Sequence, residues 1–313
     1  MFDVVCVGDA IVDIVALVER IPRLDEEVEI LKLEFHPGGA AANSASCLAR
    51  LGLKVGFVGG VGRDYFGSLL LNAFKRDGVD IRGVKTFSVA TGVVIAVVLK
   101  STGERMLFAF EGANEELKPE DVDLRYVLNS RAVQLNGTKL DVAEVVAKEA
   151  KKHGLLVQYD PGSIYAAKGV SAIRGVLGNT DVFMLNRAEL AMLVPDLPLS
   201  KASSKLLEMG PRIIVVKLGA GGCLVKTKET GFKSPAYRVR PVDTTGAGDA
   251  FNSAFLYALL RGWSLEKAAT FANATAALKI TRVGARSLPT LKEVLEFLSQ
   301  RGFKQNNEEG FEV

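Results

Sequence analysis

The sequence predicts an α/β protein: a central, mostly parallel sheet flanked by helices, with a small β-sheet set over it as a lid. Three observations predict this. From Val133 onward, short apolar strands alternate with amphipathic helices in the rhythm of βαβ units. Two earlier segments, about 11–36 and 91–111, break that rhythm with strand-only patterning. A Gly-rich turn, Asp243-Thr244-Thr245-Gly246-Ala247-Gly248-Asp249-Ala250-Phe251, runs directly into an apolar stretch of helix formers, Ala254–Leu260. At 313 residues the chain is expected to be a single α/β domain, 1–313, from which the two lid segments are excursions.

Taken in order, Val4–Asp9 reads as a buried strand ending in a turn. Ile11–Val18 is β-branched and apolar but holds Asp13, either an exposed-face residue or a ligand contact. In the next strand Leu31, Leu33 and Phe35 share one face and Lys32 and Glu34 the other. Gly38-Gly39 then admits close approach of a small molecule to the backbone. The helix that follows runs to Leu51, with Asn43 near its start to cap it or to bind a polyol hydroxyl. Val55–Val58 is a strand. Gly59-Gly60-Val61-Gly62 reads as a turn before the helix Tyr65–Asp77; it has P-loop spacing to Gly67, but Ser68 stands where the P-loop lysine belongs. Val93–Leu99 and Arg105–Phe110 form a hairpin about Ser101–Glu104. The apolar face of the resulting lid needs cover, from substrate closure or from another subunit, and a homodimer through the lid sheet is the expected assembly.

In the regular half, polar residues close successive strands: Asn136, Asp160, Asn186 and Lys217. Each alone reads as a turn residue, but their repetition marks the ligand crevice of an open parallel sheet. Asp141–Glu144 resembles a capping box, His153 suits a helix C-terminus, and Ser264–Lys279 and Thr290–Ser299 are helices. Between those two helices lies a loop, Thr281–Ser287, and the polar tail Lys304–Val313 is expected to be disordered.

The Gly-rich turn is the candidate centre of chemistry. Its small residues let an anion approach N–H groups at a helix start, where unpaired donors and the helix dipole favour phosphate. Asp249 is either an ordinary helix cap or a general base beside that seat. The hydroxyl and acid residues just before it, and the unbroken helix behind it, favour the base.

Composition removes other classes. A net charge of +3 without a Lys/Arg block argues against nucleic-acid and membrane-surface partners. Cys6, Cys47 and Cys223 are scattered and form no C-x-x-C, as in a reducing compartment, and two histidines are too few for a multi-His metal site. No stretch approaches the ~20 apolar residues of a membrane span. A soluble, cytoplasmic protein is expected.

Four segments together give the chain a family likeness: Gly38-Gly39-Ala40-Ala41-Ala42-Asn43, Asn186-Arg187-Ala188-Glu189, Lys217-Leu218-Gly219-Ala220-Gly221-Gly222, and Asp243–Phe251. In order and spacing the sequence resembles the ribokinase-like (PfkB) family of carbohydrate kinases. The resemblance implies phosphoryl transfer from ATP, with Mg²⁺, to a hydroxymethyl group of a sugar or related polyol. It implies Asp249 as base, with the amides of Gly246, Ala247 and Gly248 stabilising the moving phosphoryl group. Asn186 and Glu189 would position phosphate and Mg²⁺, Glu189 indirectly. Lys217, Gly219, Gly222, Gly248 and Asn273 look like nucleotide contacts, and Asp13, Gly38, Gly39 and Asn43 like sugar contacts. In members that use a monovalent cation such as K⁺, it lies near the equivalents of Asp243, Thr245, Arg282, Gly284 and Ser287.

Three departures bear on the acceptor. Ala40-Ala41 replaces the Lys-Gly of ribose-specific relatives, and Glu111 after Phe110 argues against an acidic sugar. Asp160-Pro161-Gly162-Ser163-Ile164 lacks the Asn and Arg of fructokinase-like members. The leading expectation is therefore a kinase of a neutral sugar. A nucleoside kinase on the same fold is the alternative, ahead of a non-catalytic sugar- or nucleotide-binding regulator.

Overall fold

The computed structural model of the chain describes residues 1–306 and 310–311. Its strands in chain order are β1 (Phe2–Gly8), β2 (Ile11–Val18), β3 (Ile30–Gly38), β4 (Val55–Gly62), β5 (Asp80–Phe87), β6 (Gly92–Leu99), β7 (Arg105–Phe110), β8 (Ser130–Asn136), β9 (Leu156–Asp160), β10 (Val182–Asn186), β11 (Ile213–Lys217), β12 (Cys223–Lys226) and β13 (Gly231–Ser234). Nine of them make the main sheet, ordered β13-β12-β11-β10-β9-β8-β1-β4-β5. From β11 across to β5 every pairing is parallel, and β12 and β13 turn back as an antiparallel edge.

Both faces of this sheet are covered, as parallel strands require. Successive residues of β1 show it. Val4 and Cys6 enter a core shared with the helices Ala40–Arg50, Ala247–Leu260, Leu265–Lys279 and Leu291–Ser299. Val5 and Val7 enter the opposite core, with Val142, Val146 and Ala150 of the helix Leu140–Lys152. The predicted main architecture is therefore the observed one.

The strand-only segments pair as β3-β2-β6-β7 into a separate four-stranded sheet. Cross-strand partners share a face, so the register sorts the side chains. Phe35, Ile14, Ile95 and Phe108 line up on one face, and Leu33, Ala16, Val97 and Met106 continue it. On the other face Asp13 stands opposite His36 and Val94. The apolar face is open: Leu33 is 48% and Phe108 55% exposed.

Some local expectations differ from the structure. Gly59–Gly62 is not a turn but the last half of β4. There glycine serves close packing, since a Cβ at Gly60 would lie 2.4 Å from the Ala113 carbonyl oxygen. Asp141 does not open a capping box. The Leu140–Lys152 helix starts before it, with Lys139 at the N-cap, and Asp141 sits in the first turn where a carboxylate favours the dipole. The Thr290 box does form, with Glu293 answering the Thr290 N–H, and exposed His153 caps its helix as expected. The tail is ordered at Gln305–Asn306, which pairs with Gly310–Phe311, and Phe311 is buried with its ring near Trp263 and Phe271. The remainder of the tail, 307–309 and 312–313, lies outside the described residues.

Candidate active site

The chain starts inside the sheet at β1, third from the β5 edge, builds β4 and β5 on one side, then returns to build β8 on the other. Such a reversal opens a crevice at the strands' C-terminal ends. The polar strand ends meet there. Gly8 pairs with Asn136, Asn136 with Asp160, and Asn186 with Lys217. Asp9, Asn136, Asp160, Asn186 and Lys217 line a cavity of about 490 Å³ whose wall is completed by Gly248 and Asp249. A second cavity, about 640 Å³, runs between 236–241 and the Leu265–Lys279 helix, lined by Gly222, Phe251 and Asn273. Lys217, Gly219 and Gly248 border both, so the two cavities adjoin beside Asp249.

The Gly-rich turn explains that junction. The Ala247–Leu260 helix has Gly246 as its N-cap, with φ 77° and no side chain capping. Asp249 therefore is not a cap. Its Oδ2 instead accepts from the Nδ2 of Asn43, at 2.9 Å. Burial pushes its carboxyl up to about 6, opposed by the Asn43 hydrogen bond. The three amides of the turn differ from expectation in one respect. The Ala247 N–H is spent on the Thr244 carbonyl, closing the turn, while among the described residues no bond within the protein takes the N–H of Gly246 or Gly248.

Behind Asn43 stands Arg286, a residue of the Thr281–Ser287 loop to which the sequence assigned no role. Its Nε donates to Asn43 Oδ1 at 3.3 Å, and its Nη2 to the Gly38 carbonyl at 3.0 Å. Arginine only donates and a carboxylate only accepts, so the pair fixes which end of the Asn43 amide faces Asp249. A lone Arg in a loop carries no sequence signal for this role. Asp9 was the other omission, though its place just after β1 matches that of the polar strand ends. It is forced up to about 7 by burial, and its Oδ1 accepts from the Ala41 N–H.

The four residues expected to touch sugar fall at one corner, next to Asp249 but outside the lining of both cavities. Asp13 packs against Gly38 so closely that a Cβ there would lie 2.4 Å from its Oδ2. Gly39 leads into the helix carrying Asn43. Burial raises the Asp13 carboxyl to about 6, with His36 and Arg286 opposing.

Of the expected nucleotide and phosphate contacts, Gly219 and Gly222 line the second cavity. Lys217 reaches Asp160 Oδ2 at 2.5 Å and Asn252 Oδ1 at 3.1 Å. Burial alone would lower its pKa, but Asp160 and Glu189 hold it raised, so it stays charged. Asn186 and Glu189 line the first cavity but also cap each other's backbone, leaving one side-chain end of each for other partners. Asn273 spends its Nδ2 on Ser234, which leaves its carbonyl oxygen as the group available to the second cavity.

Among the residues implied for a monovalent cation, the polar side chains already have partners within the protein. Both Asp243 carboxylate oxygens accept backbone N–H groups, from Thr245 at 2.9 Å and Gly284 at 2.8 Å. The Ser287 hydroxyl donates to the Val283 carbonyl, and the Thr245 hydroxyl lies 3.5 Å from Arg105 Nη1.

Fold and crevice together define a phosphotransferase of the sugar-kinase class, and comparison with known proteins agrees. The pfkB family carbohydrate kinase profile matches residues 1–291, and the chain belongs to that family. It is 34% identical over 301 residues to an ATP-dependent ribose-1-phosphate kinase of Halopiger xanaduensis, covering 96% of this chain and 99% of that protein. Among solved structures it resembles a ribokinase of Thermotoga maritima, with TM-score 0.86, 31% identity, and 96% and 100% of the two chains covered. It also resembles Arabidopsis thaliana ribokinase complexed with ribose and ATP, with TM-score 0.88, 31% identity, and 95% and 98% covered.

Proposed function

We propose that this ATP-dependent sugar kinase transfers the γ-phosphoryl group to a hydroxymethyl of a neutral sugar, with Asp249 taking the hydroxyl proton. The carrying observation is the position of Asp249, uncapped, held by Asn43, where the two cavities adjoin. The sugar lies toward Asp13, Gly38, Gly39 and Asn43, and the nucleotide in the cavity bordered by Gly222 and Asn273. The free amides of Gly246 and Gly248 face the group in transit, and Lys217 supplies positive charge between the two sites. With Asp160 paired to Lys217, the carboxylates of Asp9, Glu111, Glu115, Glu189 and Asp249 still outnumber Lys168 in the lining of the first cavity, which favours an acceptor rich in hydroxyl donors over an anionic one. Mg²⁺ fits as an ion carried mainly by nucleotide phosphates and water, with Asn186 and Glu189 beside it, and when bound it neutralises phosphate charge. The chain acts as one kinase domain, and the four-stranded sheet as its lid. Three free, buried cysteines support a reducing, cytoplasmic setting. No helix among the described residues is long and apolar enough to cross a membrane.

The test is a panel of acceptors with ATP and Mg²⁺, followed by ADP release. Ribose, fructose, ribose 1-phosphate and nucleosides are the informative members. Turnover confined to nucleosides or to the phosphorylated sugar would overturn the neutral-sugar reading.

The base assignment sets a pH profile. Asp249 must be ionised to accept a proton, so kcat/KM should fall as pH drops through about 6 and level off above it. A rate flat down to pH 4.5 would contradict the assignment.

The open face of the lid accommodates a second copy of this chain. The protein should sediment as a dimer, and Leu33→Asp with Phe108→Asp should yield monomers, since charge on such a face disfavours its burial. A wild-type monomer at all accessible concentrations would refute the pairing.

A further inference from the structure

We propose that the ammonium of Lys279 is a tethered replacement for the monovalent cation of this fold, so that turnover needs no added potassium. Lys279 ends the Leu265–Lys279 helix and is fully buried. A buried ammonium without partners is costly, and this one has them in the backbone. Its Nζ donates to the carbonyl of Asp243 at 2.9 Å and points at that of Arg282, 3.5 Å away. Those carbonyls belong to the two segments that were implied to hold K⁺. A potassium ion drawing on those two carbonyls would have to displace the ammonium that already holds them. Burial lowers the pKa of Lys279, while Asp243 and Asp249 oppose that shift, so negative neighbours favour its charged form.

The position also says what the charge does. Asp243 opens the turn that leads to Gly246 and Gly248. The loop 282–285 packs against that turn, with the Ala285 backbone in contact range of any Cβ at Gly246. Lys279 pins both segments to the helix end through one cation, as a bound ion does, but without a dissociation step. It is a positioning residue: it touches neither cavity's contents and holds the anion seat in shape.

The proposal rests on the kinase reading of that turn. ADP release by the wild type in any salt establishes that reading separately, so the salt response alone bears on Lys279. With ionic strength held constant, wild-type kcat and melting temperature should match in potassium, sodium and tetramethylammonium salts. Lys279→Ala opens the site. Its kcat should fall by about 10- to 100-fold in sodium, as small displacements of a catalytic seat do, and recover in potassium or ammonium. Potassium should also raise its melting temperature selectively, the signature of an ion binding the folded state. Wild-type activity that rises several-fold with potassium would overturn the proposal. So would a folded variant that is equally active, or equally inactive, in every salt. Should the variant fail to fold, the wild-type salt series still decides: a flat response supports the tethered cation and stimulation refutes it.

Discussion

Asp249→Asn should lower kcat by on the order of 10²–10⁴, the range for loss of a general base. ATP affinity, measured by calorimetry, should stay near wild type, because the second cavity is bordered by Gly248 and not by the Asp249 side chain. The amide keeps an oxygen to accept the Asn43 Nδ2, so the local geometry is preserved while basicity is removed. The same substitution carries a stability signature. For an acid whose folded pKa is raised, here from 3.8 to about 6, the unfolded chain loses its proton first. The stability it contributes is therefore present below about pH 4 and lost as pH rises through about 6. Asp249→Asn should accordingly melt above the wild type at pH 8, with the gap narrowing toward pH 4. A variant that turns over normally would remove Asp249 from the chemistry.

Gly246→Ala should be nearly as damaging, for a steric reason. At φ 77° an L-residue incurs about 1–2 kcal/mol of left-handed strain. A Cβ at this position would also lie 2.6 Å from the Ala285 carbonyl oxygen, so the turn or the loop must shift. Since the shifted part bears the amides of the anion seat, kcat should fall by on the order of 10², comparable to losing one oxyanion donor. Gly262→Ala is the control. It has φ 71° but nothing within 4 Å of an added Cβ, so it meets the strain without the clash. It should lose a little melting temperature and no activity. Equal kcat losses in the two variants would show that the Gly246 effect is general destabilisation.

The difference between what was and was not legible in the sequence follows from the range of the interactions. Strands that end in a polar residue after an apolar run, the hairpin at Ser101–Glu104 and the Gly-rich turn before Ala254 are local patterns, and each appears where the pattern put it. The edge strands β12 and β13 and the half-polar β5 were not foreseen, because their strand character comes from pairing with a neighbour already in place. Gly59–Gly62 misled because glycine signals both turns and tight packing, and only the facing Ala113 backbone tells them apart. At the site, Asp249 and the sugar-side glycines were visible as motif members. Arg286 and Lys279 were not, since their partners Asn43 and Asp243 stand 243 and 36 positions away along the chain.

Gly248 borders both cavities, while the strands of the small sheet contribute no wall to either. Ile11–Gly38 and Gly92–Phe110 can thus be redrawn without altering the wall of either cavity. Variation has a division of labour here: the small sheet is free to diversify, whereas the first turn of the Ala247–Leu260 helix walls two cavities at once and is closed to experiment.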